Sequence, residues 1–152
     1  MTAVRQRSAR YALALAALTG LFASRVVAQA IQRWHPVDAL PPFDMFQGGS
    51  TPYGFLLAVQ IILLAWMGIS TRQVSAARRP NARTWRVLLW VGMIYMAGSV
   101  ARIAVGLGLT DAPPWFTAWI PAAFHIVLAG FVLTLARYHR GPRDVAGAGV
   151  VQ

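Results

Sequence analysis

Four apolar segments, separated by short stretches rich in arginine or proline, set the strongest limit on what this chain can fold into. They run over residues 11–31, 53–71, 87–109 and 115–138. Each is close to the roughly 20 residues that a helix rising about 1.5 Å per residue needs to cross a ~30 Å hydrocarbon core. The composition agrees, because 57% of the residues are hydrophobic and only 12% are charged, which is far too apolar for a soluble domain of this length. The sequence therefore predicts an all-α integral membrane protein built as a bundle of four transmembrane helices.

The arginines outside these segments lie almost entirely on one side of the predicted bundle. Eleven fall in the amino-terminal stretch, in the loop between the second and third segments, or in the tail, namely Arg5, Arg7, Arg10, Arg72, Arg78, Arg79, Arg83, Arg86, Arg137, Arg140 and Arg143. The opposite side has only Arg33. Because positive charge near helix ends stays on the cytoplasmic side, we expect both termini in the cytoplasm (N-in/C-in).

We therefore expect a single membrane domain over residues 1–140 and a disordered cytoplasmic tail over residues 141–152. The expected location is a membrane crossed several times by the chain, the bacterial inner (cell) membrane. The partners to expect are the lipid bilayer and other membrane helices, in a homo-oligomer or a larger complex. A nucleic-acid partner is not expected, since such a surface gathers its arginines on a folded polar face.

The first segment has an alternative interpretation as a secretory signal. Its arginines, its apolar run and the small residues "VVAQA" resemble a signal with a cleavage site after Ala30, and cleavage would leave three helices. Arg25, however, would then lie between the apolar run and the cut. Small residues also recur every four positions, at Ala12, Ala16, Gly20, Ser24 and Ala28. Such stripes let membrane helices approach closely, which favours a retained and packed helix.

The polar side chains inside the four segments share one depth, beneath the external surface. An arginine at membrane depth costs roughly 2.5 to 3.5 kcal/mol on insertion scales, and Arg102 lies seven residues, or about 10 Å, from the end of the third segment. Gly98 and Gly106 flank it at four-residue steps, and packing against the first helix is the simplest explanation of these glycines. The candidate ligand-binding residues at or near this depth are Arg25, Gln60, Tyr95, Arg102 and His125.

The longest external segment, "QRWHPVDALPPFDMFQGGSTP", joins the first two helices and is rich in proline and glycine. Such a composition predicts a lid or a re-entrant loop. Its Asp38 and Asp44, together with Asp111 of the next external loop, lie on the side toward which Arg25 and Arg102 can extend. Ion pairing across the mouth of the bundle would account for both arginines. His125, His35 and Asp38 are weak candidates for a catalytic acid or base.

Several chemistries find no support in the sequence. The chain has no cysteine, which excludes disulfides and thiolate metal sites. The histidines lie too far apart for a bis-histidine haem, and the spacing of His and Asp fits no compact metal motif, so no metal site is predicted and no cofactor is indicated. Phosphate-binding loops and hydrolase or protease motifs do not occur. No acidic residue lies inside a segment, which argues against an ion-coupled pump.

Two functions from different classes are left. One is a structural or accessory subunit of a membrane complex or homo-oligomer, favoured because the chain has little mass outside the membrane and no catalytic constellation. The other is a membrane-embedded binding protein or enzyme for an amphipathic lipid such as a quinone or an isoprenoid phosphate, with a polar site near the external face. The two differ in what Arg102 faces, which is an external aspartate in the first and a cavity beside His125 and Gln60 in the second.

Overall fold

The computed structural model of the chain describes residues 2–47, 51–78, 81, 83–108, 116 and 118–141. This part of the chain forms α1 (Thr2–Trp34), α2 (Phe43–Gln47), α3 (Tyr53–Ser75), α4 (Thr84–Gly108) and α5 (Trp119–Arg140). Four of these helices, α1, α3, α4 and α5, are long and apolar enough to cross a membrane. For the described residues, the prediction of an all-helical fold with four helices able to cross a membrane is confirmed.

The helices extend beyond the apolar segments at several ends. The helix α1 begins at Thr2 rather than near residue 11, because the alanine, arginine and glutamine residues before the apolar run are good helix formers. Its 33 residues span about 50 Å. The helix α5 begins at Trp119 rather than at residue 115, which places Pro121 in the first turn, where a missing amide proton costs no hydrogen bond. The predicted tail from residue 142 onward lies outside the described residues.

The four long helices alternate in direction. One end of the bundle, which we call the basic end, gathers the start of α1, the end of α3, the start of α4 and the end of α5. The helix α5 lies at the centre, since it packs extensively against α4 and also against α1, and α3 packs mainly against α1. In the described part of the chain α3 and α4 scarcely contact each other.

The tightest backbone approach joins α4 to α5. A side chain at Gly92 would place its Cβ 2.8 Å from Cγ and Cδ2 of Leu133, so this glycine lets α5 approach α4. The expected packing of the third membrane helix against the first is therefore wrong. In the described residues α4 packs on α5, and α1 barely contacts α4. Hydropathy predicts that a segment lies in the membrane, but it does not determine which helix that segment packs against.

The small-residue stripe of α1 is only partly used within the chain. Ala12 is buried, whereas Ala16, Gly20 and Ser24 are exposed, and a Cβ added at Gly20 would meet no atom within 4 Å. At Gly20, therefore, no other helix of the described chain packs closely on the stripe.

The central loop at the basic end is tied to α5. The Tyr138 hydroxyl donates a hydrogen bond to the carbonyl of Arg78, and the backbone amide of Asn81 donates one to Nδ1 of His139 over 3.1 Å. The ring of Tyr11 packs edge-on against Tyr138, with centroids 5.8 Å apart. These contacts join α1, the loop and the end of α5 into one unit.

Candidate functional site

A cavity of about 170 Å³ lies among the four long helices near the end opposite the basic end. Each helix supplies part of its lining: Arg25 of α1, Gln60 of α3, Tyr95 and Arg102 of α4, and His125 of α5. Apolar side chains complete it, among them Phe22, Leu56, Leu63, Phe124 and Leu128. The five residues singled out in the sequence as candidate ligand-binding residues therefore surround one space.

Arg25 is held in the cavity wall by the short helix α2. Its side chain is 7% exposed, and its Nη2 donates a hydrogen bond of 2.9 Å to the carbonyl oxygen of Phe46. Phe46 is in the last turn of α2, where helical carbonyls lack an intrahelical partner. The guanidinium also lies over the ring of Phe124, 5.6 Å from its centroid. Its Nε is buried without a hydrogen-bond partner, so Arg25 keeps a donor for another group.

A pair of glutamines links α1 to α3 beside Arg25. Gln29 is fully buried, and Nε2 of Gln60 donates a hydrogen bond of 3.0 Å to Oε1 of Gln29. The second polar atoms, Nε2 of Gln29 and Oε1 of Gln60, are buried and unpartnered. Turning both amides together would reverse the direction of this hydrogen bond and still leave one NH2 group and one carbonyl oxygen unpartnered.

Arg102, Tyr95 and His125 form the other side of the cavity. Arg102 is 5% exposed. Two turns earlier on α4, Tyr95 packs edge-on against the imidazole of His125, with ring centroids 5.3 Å apart. His125 lies six residues after the start of α5, or about 9 Å along the helix. A cationic donor and an imidazole thus face the same space from neighbouring helices.

The candidate residues between α1 and α3 lie away from the cavity. His35 and Asp38 are exposed between α1 and α2, and neither lines the cavity. Asp44 is also exposed, and Arg25 bonds the Phe46 carbonyl rather than Asp38 or Asp44. The expected ion pairs between Arg25 and these two aspartates are therefore replaced by a bond to a helix end. Asp111 lies outside the described residues.

The loop between α1 and α2 is fastened to the end of α1 by Gln32. Its Nε2 donates hydrogen bonds to the carbonyls of Leu40 and Pro41 at 3.2 and 2.9 Å. Its Oε1 accepts one from the amide of Val37 at 2.7 Å. The helix α2 then packs on α1 and α5, with Phe46 buried. This arrangement covers the cavity with Gln47 in its lining.

Two residues of the cavity lining, one on α3 and one on α4, are also exposed on the outside of the bundle. Val59 of α3 is 38% exposed and Tyr95 of α4 is 39% exposed. These two helices scarcely contact each other in the described residues. The gap between α3 and α4 is therefore the candidate opening of the cavity.

Sequence reasoning placed Gln29 in the same polar layer as Arg25 without naming it as a site residue, and it missed Gln32 and the carbonyl of Phe46. For the two glutamines a signal exists, because Arg25, Gln29 and Gln32 are spaced by four and three residues, which places them on one face of a helix. A polar stripe inside an apolar helix marks the side that faces other protein. The Phe46 carbonyl has no sequence signal, since any residue at that position supplies one.

In the described residues, no three His, Asp or Glu side chains gather in a way that would hold a metal ion. All four long helices supply polar side chains to the cavity, two of them arginines, and apolar side chains fill the rest of its lining. A comparison of the chain with known protein families, curated proteins and solved structures finds no match.

Proposed function

We propose that this protein binds the headgroup of an amphipathic lipid in the cavity between its four membrane helices. The observation that carries the proposal is the convergence of Arg25, Arg102, Gln60 and His125 on one cavity at membrane depth. Two arginines in such a place are costly to insert, and intramembrane charges of this kind mark sites that recognise a ligand or an ion. A bound headgroup would accept a charge-assisted hydrogen bond from Nε of Arg25, a buried donor without a partner.

The size of the cavity limits what it can enclose. Its volume of about 170 Å³ is below the roughly 300 to 1,000 Å³ of pockets that surround drug-sized ligands. It therefore fits a headgroup alone, while the hydrocarbon tail would leave through the gap between α3 and α4. A lipid has both a small headgroup for the cavity and a tail for the gap, whereas a large soluble metabolite has neither.

The polar atoms favour an anionic headgroup, such as an isoprenoid phosphate, over a neutral one. The guanidinium fork of arginine matches phosphate oxygens geometrically, and Nε of Arg25 is a buried donor without a partner. A quinone, with two carbonyl acceptors, would use the same donors with less charge compensation. If the site also performs chemistry, His125 is the described acid or base that lines it.

The first test is native mass spectrometry of the gently extracted protein, comparing wild type with Arg102→Ala. We expect a lipid adduct on the wild type and its loss, by about tenfold or more, from the variant, since truncating one partner of a buried charged contact costs 2 kcal/mol or more. Arg33→Ala is the matched control, because Arg33 is exposed at the same end and does not line the cavity.

A second variant guards against misfolding of Arg102→Ala. Leu63→Trp keeps both arginines and fills the cavity that Leu63 lines, so it is also expected to release the lipid. If the wild type carries no lipid, or if Arg102→Ala and Leu63→Trp both retain it as the control does, the proposal is wrong.

A structural or accessory subunit is the second candidate, and the exposed stripe of Ala16, Gly20 and Ser24 on α1 supports it. Small residues at a lipid-facing position let a second helix approach closely. The same mass spectra separate the two functions. An oligomer or a bound protein of constant composition, with no lipid in wild type or variant, would favour the subunit.

A further inference from the structure

We infer that the protein has a second lipid site, at its basic end, which binds the phosphate of an anionic phospholipid in a groove between α1 and α5. The groove has a volume of about 610 Å³, and three arginines line it: Arg7 and Arg10 of α1 and Arg137 of α5. It lies at the opposite end of the bundle from the cavity described above. It therefore stands independently of the proposed function.

The side chains in this groove share one face on each helix. Arg7, Arg10 and Ala14 follow each other at spacings of three and four residues, and Thr134 and Arg137 are three apart, so each set lies on one side of its helix. The Arg7 guanidinium lies over the Tyr11 ring, 5.5 Å from its centroid. Tyr11 is in turn packed edge-on against Tyr138. The contact gives Arg7 a fixed position at the edge of the groove.

The length of α1 places these arginines at headgroup depth. A helix needs about 20 residues to cross the hydrocarbon core, whereas the α1 span covers 30 residues from Arg5 to Trp34. The excess extends the helix beyond the core at its ends, and the charged residues occupy the first turns. Arg7, Arg10 and Arg137 therefore lie where lipid phosphates lie.

The surface below the arginines continues in a form that suits an acyl chain. Ala14, Ala17 and Leu21 follow Arg10 at spacings of four, three and four residues, and all three are exposed. On α5, a Cβ added at Gly130 would have only Cδ2 of Leu18 within 4 Å, at 3.9 Å. An exposed apolar face of α1 thus continues from the groove, and we call it the acyl track. A membrane phospholipid uses both parts, whereas a free phosphate compound uses only the first.

The number of donors in the groove suits a phosphate, which offers more acceptor oxygens than a carboxylate. Three guanidinium groups from two helices surround the groove, with the hydroxyl of Thr134 and the amide of Gln6 as further donors. Arginine binds phosphate oxygens bidentately, and a basic residue near an anionic bilayer surface strengthens lipid attraction by about fivefold. Three such residues acting on one headgroup are worth about a hundredfold.

The test measures phosphatidylglycerol bound to the protein by native mass spectrometry, with phosphatidylcholine as the zwitterionic comparison. The triple variant Arg7→Gln, Arg10→Gln, Arg137→Gln is expected to lose the retained phosphatidylglycerol by about a hundredfold. The matched control is Arg72→Gln, Arg83→Gln, Arg86→Gln, which removes the same charge from the same end without changing the lining of the groove. This control is expected to retain the lipid within a few-fold of the wild type.

Two further measurements show whether the phosphate belongs to a lipid or to a soluble compound, and they control for misfolding of the triple variant. Glycerol 3-phosphate is expected not to displace the lipid, and displacement at similar concentration would overturn the lipid in favour of a soluble ligand. Ala14→Trp keeps the arginines and blocks the acyl track, so it is expected to weaken phosphatidylglycerol binding. Equal losses in both triple variants would show general surface charge and overturn the site. Arg102→Ala is expected to leave phosphatidylglycerol bound in this groove even though it releases the lipid of the cavity. The two proposals can therefore fail separately.

Discussion

At the scale of single residues, three polar side chains of the apolar helix α1 form hydrogen bonds inside the bundle. Arg25, Gln29 and Gln32 lie on one face, and each is buried. Arg25 bonds the end of α2, Gln29 bonds α3, and Gln32 fastens the loop that leads to α2. The depth of Arg25 and Gln60 could be read from the sequence, because hydropathy sets depth. The partners could not, since three of them are the backbone carbonyls of Phe46, Leu40 and Pro41.

The glutamine pair leads to a test by double substitution. Gln29→Leu and Gln60→Leu are each expected to lower the free energy of unfolding by about 1 to 2 kcal/mol, because each leaves a buried amide without its partner. The double variant is expected to return to within about 0.5 kcal/mol of the wild type, since apolar groups of similar shape replace both partners.

The measurement is unfolding in mixed detergent micelles, followed by circular dichroism. Gln73→Leu is the matched control, because Gln73 is exposed on the same helix, and it is expected to change stability little. Losses in the two single variants that simply add in the double variant would contradict the structural role given to the pair.

At the scale of elements, α5 organises the bundle. It has the largest buried share of the four long helices, and it contacts both α1 and α4 closely. Four segments of similar hydropathy could be found from the sequence, yet the neighbours of each helix could not, because an apolar face can pack equally well on several helices or on lipid. The close approach at Gly92 illustrates this, since Gly98 on the same helix is exposed and meets nothing.

These two glycines give a matched pair of substitutions. Gly92→Leu is expected to lower the free energy of unfolding by about 1 to 3 kcal/mol, because the new side chain overlaps Leu133. Gly98→Leu is expected to be neutral or stabilising by up to about 1 kcal/mol, since leucine favours a helix more than glycine does. Detergent unfolding of both variants checks this, and similar losses from the two would contradict the packing of α4 on α5.

At the scale of the whole molecule, the two ends differ in charge and in what they present. The basic end carries the described arginines Arg5, Arg7, Arg10, Arg72, Arg78, Arg83, Arg86, Arg137 and Arg140. The opposite end carries the cavity, α2 and its loop. Because the helices alternate in direction, the loop between α1 and α3 and the loop between α3 and α4 lie at opposite ends of the bundle. The arginines of the second loop therefore predict that the basic end faces the cytoplasm.

The absence of cysteine from the sequence makes this orientation simple to test. Asp38→Cys and Arg83→Cys each introduce a single thiol in an exposed loop residue. In intact spheroplasts, a thiol reagent that cannot cross the membrane is expected to label the cysteine at position 38 and not the one at position 83, because arginine-rich loops stay in the cytoplasm. Lysis before labelling is expected to expose both, and labelling of position 83 in intact spheroplasts would reverse the topology.

The central position of α5 also fixes the order in which the protein can be assembled during synthesis. The ribosome delivers α5 after the other three membrane helices, and α4 has its main packing partner only in α5. Until then α4 stands in the lipid with no extensive helix contact in the described part of the chain, and the cavity lacks one wall. A nascent chain released before residue 119 would therefore hold all the apolar segments but one and yet no site. Such a truncated chain would be recognised by the insertion machinery and by membrane proteases before it could bind a ligand.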